Sequence, residues 1–340
     1  MKPIPFLIPK NHILEDIISL GNMLACHSET AEEYIFDFQG KGLDTPFGMI
    51  YIAHAIREFI KSHPNSKCTP IRYQDRGYAA HMGYFQACGF EIGNPPGEAH
   101  GSETYLPITV LQTRELREQA KLESQHVGDI IESRSSQLAC LLTQQQDGPL
   151  VELLTYALRE MIRNVIEHSG SETFVYCAQY HPRTKQAEIA ILDTGMGIWA
   201  SLEKNPYLKI KSHREALNLA LMPGVSGKMH KDVKKDPYDA WQNSGYGLYA
   251  VSRLCGHGGK FSLISGDTGL SLKPESKSYH EASLQGTALR IILSSKEIPN
   301  LQVTLSRVIK EGSRLAKELQ MGNTEANVAS QMLSSEFRKE

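Results

Sequence analysis

The most regular spacing of apolar and polar residues in the chain lies between Leu150 and Gly170. Apolar residues recur there every three or four positions, which is the spacing of a helix that buries one face in a core. These positions are Val151, Leu154, Ala157, Leu158, Met161, Ile162 and Val165. The pattern predicts a buried central helix, relative to which the other segments can be placed.

The first hundred residues show helices and strands in alternation. Asp44 or Thr45 can cap one helix, and Pro46 suits its first turn. The predicted elements are a helix over 12–33, a strand over 33–39, a helix over 44–63, a strand over 69–75, and a helix from Tyr78 to Cys88 that Gly89 ends. This alternation indicates a small α/β domain, which we place at residues 1–110.

The remaining segments complete the predicted organisation. Residues 94–107 are rich in proline, glycine and polar residues, as a linker or exposed loop is. The later elements are a helical connector at 111–149, a hairpin of strands at 173–180 and 187–193, a short helix at 214–222, strands at 260–265 and 288–293 joined by a polar loop, and amphipathic helices at about 301–320 and 324–338. They define a main domain at 150–296 and a C-terminal helical segment at 297–340.

Composition narrows the class of protein. A chain of 340 residues with 41% hydrophobic residues suggests two domains with ordinary packed cores. The formal charge of −2 creates no global field for nucleic acid or an anionic membrane. No signal peptide or membrane span is evident, and the six cysteines lack zinc spacing. We expect a soluble, cytoplasmic protein with reduced thiols, no membrane association and no indicated nucleic-acid partner.

The margin of the central helix carries the first candidate motif. Glu160 and Asn164 are four residues apart and share one face, and Glu167 and His168 follow a turn later. An asparagine oxygen can bind Mg²⁺ without adding charge near a triphosphate, and a glutamate can accept a proton from water. A magnesium–phosphate site is one interpretation, and a polar helix edge that faces solvent is the other.

A second motif follows the strand at 187–193, whose nearly continuous apolar run predicts a central position in a sheet. The strand ends in Asp193, followed by Gly195, Gly197 and Ile198. A carboxylate at the end of a buried strand can accept a hydrogen bond from the exocyclic amine of a base, while the glycines let a ligand approach the backbone. The alternative interpretation is an ordinary tight turn.

A third motif, Gly245-Tyr246-Gly247-Leu248, opens an apolar helix. The free N–H groups of a helix N-terminus suit phosphate. The long segment from Trp199 to Ser244 precedes it and carries Lys228, His230, Lys231, Lys234 and Lys235. This segment can be a lid over a triphosphate, a rigid docking insertion, or simply a solvated lysine run.

The order of these motifs is similar to that of a known superfamily. E-x-x-x-N, D-x-G-x-G-I, G-x-G-L and the Gly286-Thr287 pair before the last strand follow one another on the predicted elements. Over about 150–295 the chain resembles the GHKL superfamily of gyrase, heat-shock chaperone, histidine kinase and MutL-type ATP-binding domains. The resemblance implies an α/β (α+β) Bergerat-type fold, a two-layer sandwich of a mixed sheet on helices. The lack of a G-x-x-x-x-G-K-[ST] loop agrees with it.

The resemblance also implies roles for particular residues. Asn164 would be the Mg²⁺ ligand, Asp193 the acceptor for the adenine amine, and Glu160 the general base in members that hydrolyse ATP. The implied ATP-binding residues are Asn164, His168, Asp193, Gly195, Gly197, Ile198, Gly245, Tyr246, Gly247, Leu248 and Thr287. Histidine and serine kinases of the superfamily can also carry a glutamate at this position, so Glu160 leaves the reaction open.

Two further assignments concern the residues before the central helix. The N-terminal element order resembles the STAS domain, in which a loop before a helix carries a phosphorylatable Ser or Thr; here that position falls near Asp44 and Thr45. A plain structural domain is the alternative. His126 could be a phosphoacceptor on a dimerisation helix, but its flanking helices are short and lack sustained heptads.

The sequence leaves two classes of function open. One is an ATP-hydrolysing conformational switch or protein phosphotransferase in intracellular regulation, with ATP and Mg²⁺ as cofactors. The other is a non-catalytic nucleotide-binding module, in which ATP sets the partner surface that is exposed. In either class we expect a protein partner or a second copy of the chain.

Overall fold

A computed structural model shows a mixed α/β protein with two separate β-sheets. The structure describes residues 2–99, 104–230, 232–233, 241, 244–294, 296, 298, 300–319, 326 and 328–334. Within these ranges one sheet has three parallel strands and the other has five antiparallel strands. The six cysteines are free thiols. None of the helices in the described ranges is long and apolar enough to cross a membrane.

The N-terminal part builds the parallel sheet. Its elements are β1 (Ile4–Leu7), α1 (Leu14–Ala25), β2 (Glu33–Asp37), α2 (Pro46–Ser62), β3 (Lys67–Ile71), α3 (Gly77–His81) and α4 (Tyr84–Cys88). The strands lie in the order β1-β2-β3, and a helix connects each neighbouring pair. Thr45 caps α2, as its sequence predicts, because its hydroxyl accepts a hydrogen bond of 3.2 Å from the N–H of Gly48.

Several local predictions for this part differ from the structure. The strand expected over 69–75 is β3, which begins at Lys67 and ends at Ile71. The proline-flanked strand β1 was not predicted, because four residues are too few to show a period. The helix expected over 12–33 ends at Ala25. The single helix expected from Tyr78 to Cys88 is two helices, since Gly83 between them adopts a φ of 84° that interrupts helical geometry.

The second part builds the antiparallel sheet and its helices. Its elements are β4 (Tyr105–Gln112), α5 (Thr113–Leu122), α6 (Val127–Thr143), α7 (Pro149–Asn164), a π-helical turn (Val165–Ser169), β5 (Thr173–His181), β6 (Gln186–Asp193), α8 (Gly197–Leu202), α9 (His213–Ala220), α10 (Gly247–Cys255), β7 (Lys260–Lys273), β8 (Ser276–Ser294), α11 (Leu301–Glu318) and α12 (Val328–Gln331). The strand order is β4-β5-β6-β8-β7.

The mixed sheet expected for 150–296 is wrong, because every strand pairing in this sheet is antiparallel. Two of the pairings are hairpins between consecutive strands, β5 with β6 and β7 with β8, and hairpins are antiparallel by construction. The polar loop expected between 265 and 288 is instead the outer half of the β7–β8 hairpin. The expected linker 94–107 overlaps the start of β4, and the expected boundary at 110 falls inside that strand. Of the helix expected at 324–338, the described residues include the short helix α12 (Val328–Gln331), whereas 324, 325, 327 and 335–338 lie outside the described residues.

Both faces of the antiparallel sheet are buried. On β6, Ile189 and Ile191 join a core formed with α7 and α10, whereas Ala190 and Leu192 join a core formed with α1 and α2. The nearly continuous apolar run of β6 follows from this arrangement, since alternate residues serve opposite cores. The helices of the N-terminal part therefore cover the sheet face that lies opposite α7.

Charged residues also link the two parts. Glu188 on β6 accepts a hydrogen bond of 3.1 Å from the N–H of Phe47 in the first turn of α2, and Arg290 on β8 donates to Glu188 at 2.7 Å. Nearby, the buried Arg76 pairs with Asp44. The loop before α2, where a STAS-like phosphorylation site is expected, is thus buried at Asp44 and half-buried at Thr45, beside the larger sheet.

Candidate functional site

A cleft opens between α7, the ends of β6 and β8, the segment 197–227 and the loop before α10. About 970 Å³ of space that protein atoms do not fill lies within it, including open solvent at its mouth. Of the expected ATP-binding residues and Glu160, all line the cleft except Gly195 and Tyr246. Those that line the cleft are Glu160, Asn164, His168, Asp193, Gly197, Ile198, Gly245, Gly247, Leu248 and Thr287. Residues from four separate stretches thus meet in one cavity.

Asp193 lies at the end of β6 with a buried carboxyl group. Among the described residues, the N–H of Gly195 donates to its Oδ1 at 2.9 Å. Burial raises the pKa of Asp193 from 3.8 to about 6, although the hydrogen bond from Gly195 opposes this shift. Thr287 on β8 is the cross-strand partner of Asp193, so a hydroxyl and a carboxyl group stand side by side in the cleft. The carboxylate of Asp193 can accept a hydrogen bond from a ligand, and the hydroxyl of Thr287 can donate or accept one.

Glycines shape the turn after β6. A Cβ at Gly195 would overlap the carbonyl of Ser169, and the N–H of Met196 donates to the same carbonyl at 2.8 Å. Gly197 has a φ of 76° and begins α8, where a side chain would meet Ser265. Gly195 therefore does not line the cleft, but it fastens the turn after β6 to the end of the π-helical turn.

The last residue of α7, Asn164, and His168 in the π-helical turn that follows both line the cleft. The side-chain nitrogen of Asn164 is buried without a hydrogen-bond partner among the described residues. His168 lies in the π-helical turn, a rare geometry that is frequent at functional sites. Burial lowers the pKa of His168 from 6.5 to about 4; nearby Glu167 opposes this, whereas the charges of Lys228 and Arg163 reinforce it. His168 is therefore neutral at pH 7.

Glu160 is held in ion pairs within the wall of the cleft. Its Oε1 accepts a hydrogen bond of 3.1 Å from Nε of Arg159 and lies 3.6 Å from Nη1 of Arg163. Its Oε2 lies against Gly247, the first residue of α10, so closely that a Cβ there would overlap the carboxylate. The ion pairs with Arg159 and Arg163 thus involve Oε1, whereas Oε2 faces the first residue of α10.

The loop before α10 divides its residues between the cleft and the core. Gly245 has a φ of 74° and packs against the backbone of Val225. Gly245, Gly247 and Leu248 all line the cleft. The ring of Tyr246 is fully buried in the main core beside Tyr249. The residues expected to form a phosphate loop thus lie at the N-terminus of α10, and the side chain of Tyr246 lies in the core.

The segment expected to be a lid has structure of its own. Leu202, Ala216 and Val225 form a small separate apolar cluster that joins α8, α9 and the turn after them. Lys228 is exposed near the mouth of the cleft. Lys231, Lys234 and Lys235 lie outside the described residues. The segment expected to be a lid is therefore a small folded unit up to about residue 230.

Several serines in the cleft were not predicted. Ser201, Ser226, Ser244 and Ser330 line it. Ser226 shapes a turn, since its hydroxyl accepts hydrogen bonds from the N–H groups of Lys228 and Met229 at 3.1 and 3.3 Å. Single serines carry no spacing signal, and Ser330 reaches the cleft from the far end of the chain, so no sequence pattern identifies them.

Metal binding at this site would depend on few protein ligands. In the described ranges no group of three or more His, Cys, Asp or Glu side chains could hold a metal ion. Mg²⁺ commonly takes one or two protein ligands together with waters and substrate phosphates, and the side-chain oxygen of Asn164, which lines the cleft, is a ligand of the kind that Mg²⁺ takes. Searches with protein-family models, curated proteins and solved structures gave no match to this chain.

Proposed function

We propose that this chain is a Mg²⁺–ATP-binding protein of the GHKL type. One observation carries the proposal: residues predicted from four ordered motifs line a single cleft, although they are up to 127 residues apart between Glu160 and Thr287. An adenine ring would lie beside Asp193 and Thr287, and the phosphates would lie between Asn164 and the loop Gly245–Leu248. The GHKL assignment rests on this convergence and on the motif order.

The chemistry of each end of the cleft fits its proposed ligand group. The buried carboxylate of Asp193 can accept a hydrogen bond from an exocyclic amine, which discriminates adenine from guanine because guanine presents an oxygen at that position. At the other end, the N-terminus of α10 and the nearby Lys228 favour negative charge. Bound Mg²⁺ would neutralise part of the phosphate charge, and Asn164 would hold it.

For the reaction we propose ATP hydrolysis that drives a conformational switch, or phosphoryl transfer to a protein. Glu160 would orient or deprotonate the attacking water or hydroxyl. Loss of a general base typically slows a reaction by about 10²–10⁴-fold. The second candidate is a regulatory module that binds ATP without turnover, which the ion pairs of Glu160 with Arg159 and Arg163 favour.

Calorimetric titration with Mg²⁺–ATP and Mg²⁺–GTP tests the binding proposal. We expect ATP to bind and GTP to bind at least about fivefold more weakly, because a buried acceptor without a donor partner costs about 1–3 kcal/mol. Equal affinities, or no binding of ATP, would contradict it.

Phosphate release by Glu160→Gln, compared with Glu152→Gln, separates the two candidate functions. Glu152 lies on the same helix with an exposed side chain and serves as the matched control. For a hydrolase or transferase we expect Glu160→Gln to bind ATP and lose about 10²–10⁴ in rate. Wild-type protein that binds ATP but releases no phosphate and labels no protein would support the regulatory module.

A further inference from the structure

The chain returns from α11 to the nucleotide cleft through residues 329–334, which we call the C-terminal segment. Ala329 and Ser330 are almost completely buried, and Leu333 packs in the main core. The hydroxyl of Tyr156 on α7 donates to the carbonyl of Ser330 at 2.9 Å. The segment is thus docked on α7, the helix that carries Glu160 and Asn164.

Arg159 is the centre of this docking. Its side chain is fully buried, and it donates to the carbonyl of Ala329 and, at 3.1 Å, to the carbonyl of Met332. The same guanidinium pairs with Glu132 on α6 and with Glu160 on α7. A buried arginine needs this many acceptors, since each donor left unpaired away from water is costly. Two of those acceptors belong to the C-terminal segment.

Glu132 closes the arrangement from the other side. Its Oε1 accepts a hydrogen bond of 2.6 Å from the N–H of Ser334 and another from the Ser334 hydroxyl, while its Oε2 accepts from Arg159. Glu132 does not line the cleft. The Arg159–Glu132 pair therefore holds both ends of the C-terminal segment without itself reaching the ligand.

The C-terminal segment in turn forms part of the cleft wall. Ser330 lines the cleft, and its hydroxyl lies 3.0 Å from the hydroxyl of Ser244, the residue before the loop Gly245–Leu248. Displacement of the segment would uncover Arg159, remove two of its acceptors and free the guanidinium that holds Glu160. The position of Glu160 and the docking of the segment thus depend on the same buried arginine.

We propose that Arg159 is a positioning residue that ties the orientation of Glu160 and the loop at 244–248 to the docking of the C-terminal segment. Occupancy of the phosphate end of the cleft and docking of the segment then stabilise each other. Because coupling between two binding equilibria is reciprocal, a given loss of ATP affinity on undocking requires an equal gain in docking on ATP binding. The proposal rests on the proposed function for the identity of the ligand, whereas the docking itself does not.

The test uses hydrogen exchange of residues 329–334 in the full chain, together with ATP titration. Glu132→Gln keeps the shape of the side chain and removes the charge that holds Arg159 and Ser334; Glu118→Gln, at an exposed position on α5, is the matched control. Without nucleotide, we expect Glu132→Gln to speed exchange of the segment at least tenfold and Glu118→Gln to leave it unchanged. Unchanged exchange in Glu132→Gln would overturn the docking role of the pair.

The coupling is tested with Mg²⁺–ATP. In wild-type protein, ATP should slow exchange of the segment, and in Glu132→Gln the affinity for ATP should fall by about 5–150-fold, the usual range for coupled sites. A truncated chain that ends at residue 327 should lose ATP affinity to a similar extent, which would show that the loss does not come from the substituted side chain alone. ATP binding at wild-type affinity in both variants would overturn the coupling. If wild-type protein binds no ATP, the proposed function fails and the coupling to ATP fails with it, while the nucleotide-free exchange still reports the docking.

Discussion

At the scale of single residues, Asp193 shows a conflict between stability and binding. Burial raises the pKa of this carboxyl to about 6, so the folded protein favours its neutral form. The contribution of Asp193 to folding is therefore full below the ordinary value of 3.8 and is lost as pH rises through about 6. Binding of an amine donor requires the opposite, ionised form. The fold thus holds at neutral pH a charge that destabilises it, as binding sites commonly do.

This conflict predicts a pH dependence of ATP affinity. Between pH 7.5 and pH 5, Asp193 becomes mostly protonated, and we expect the affinity of wild-type protein to fall by about tenfold from this group alone. Asp193→Asn should bind more weakly at pH 7.5 and should lack this step, because an amide does not titrate. Calorimetric titration at both pH values gives the change in ATP affinity for each protein. Because the phosphates of ATP titrate in both experiments alike, their effect cancels in the difference between the two proteins. Asp267→Asn, at an exposed position, is the control.

The residue types of the site could be predicted from the sequence, but their partners could not. Glu160, Asn164 and Asp193 stand out because their spacing and their place at the ends of buried elements are visible in the chain. One ion pair of Glu160 is made with Arg159, whose position in the sequence is typical of an arginine that faces solvent. In the structure α6 and the C-terminal segment cover this arginine. Long-range burial of that kind leaves no periodic signal.

At the scale of elements, the junction between the π-helical turn and the turn after β6 fixes the shape of the end of the cleft that contains Asp193. Gly195 touches the carbonyl of Ser169 with no room for a side chain. The junction joins the two elements that carry His168 and Asp193, so its geometry sets the distance between them.

Gly195→Ala should therefore disturb the site from outside the cleft. We expect a loss of about 1–3 kcal/mol in stability from overpacking and at least a tenfold loss in ATP affinity. Gly77→Ala is the matched control, because a Cβ there meets nothing within 4 Å. Thermal unfolding and ATP titration of both variants measure the two effects. An ATP affinity equal to that of Gly77→Ala would show that the junction is not important for the site.

The segment expected to be a lid, from Trp199 to about residue 230, allows a prediction about which residues change on ligand binding. Because Leu202, Ala216 and Val225 pack together, we expect α8 and α9 to move as one body and not to order on ligand binding. Hydrogen exchange with a non-hydrolysable ATP analogue should therefore show new protection at residues 224–230 and little change in α9. Unchanged exchange throughout 199–230 at saturating analogue would favour a static docking insertion.

Most elements were predictable from the sequence because their apolar spacing is local. Helices α2, α7 and α10 and strands β5 and β6 lie where their patterns predict them. The outer half of the β7–β8 hairpin was not predicted, since its alternation is diluted by glycine, serine and charged residues between 266 and 286. Sheet direction was also missed, because pairing depends on contacts distant in the chain.

At the scale of the whole molecule, the two parts share a core. The face of the antiparallel sheet opposite α7 carries Ala190, Leu192 and Ala288, all buried against the N-terminal helices. Burial of this face contributes roughly 25 cal/mol for each Å² of apolar surface removed from water, so separation of the two parts would be strongly unfavourable.

We therefore expect one cooperative unfolding transition for the full chain. Differential scanning calorimetry should give equal calorimetric and van't Hoff enthalpies, the criterion for two-state unfolding. Glu188→Gln, which weakens the contact between β6 and α2, should lower the midpoint without splitting the transition. Two resolved transitions in wild-type protein would show that the parts unfold independently.

The doubly covered sheet has a consequence for how such a chain can change over evolution. A domain with a solvated sheet face can be fused to many different domains, because only the linker between the two has to change. Here the N-terminal part packs against one face of β6, through Ala190 and Leu192. In turn, Glu188 of β6 accepts a hydrogen bond from the N–H of Phe47 at the start of α2. Exchange of the N-terminal part would require matched changes along β5, β6 and β8. The two parts are therefore constrained to be inherited together.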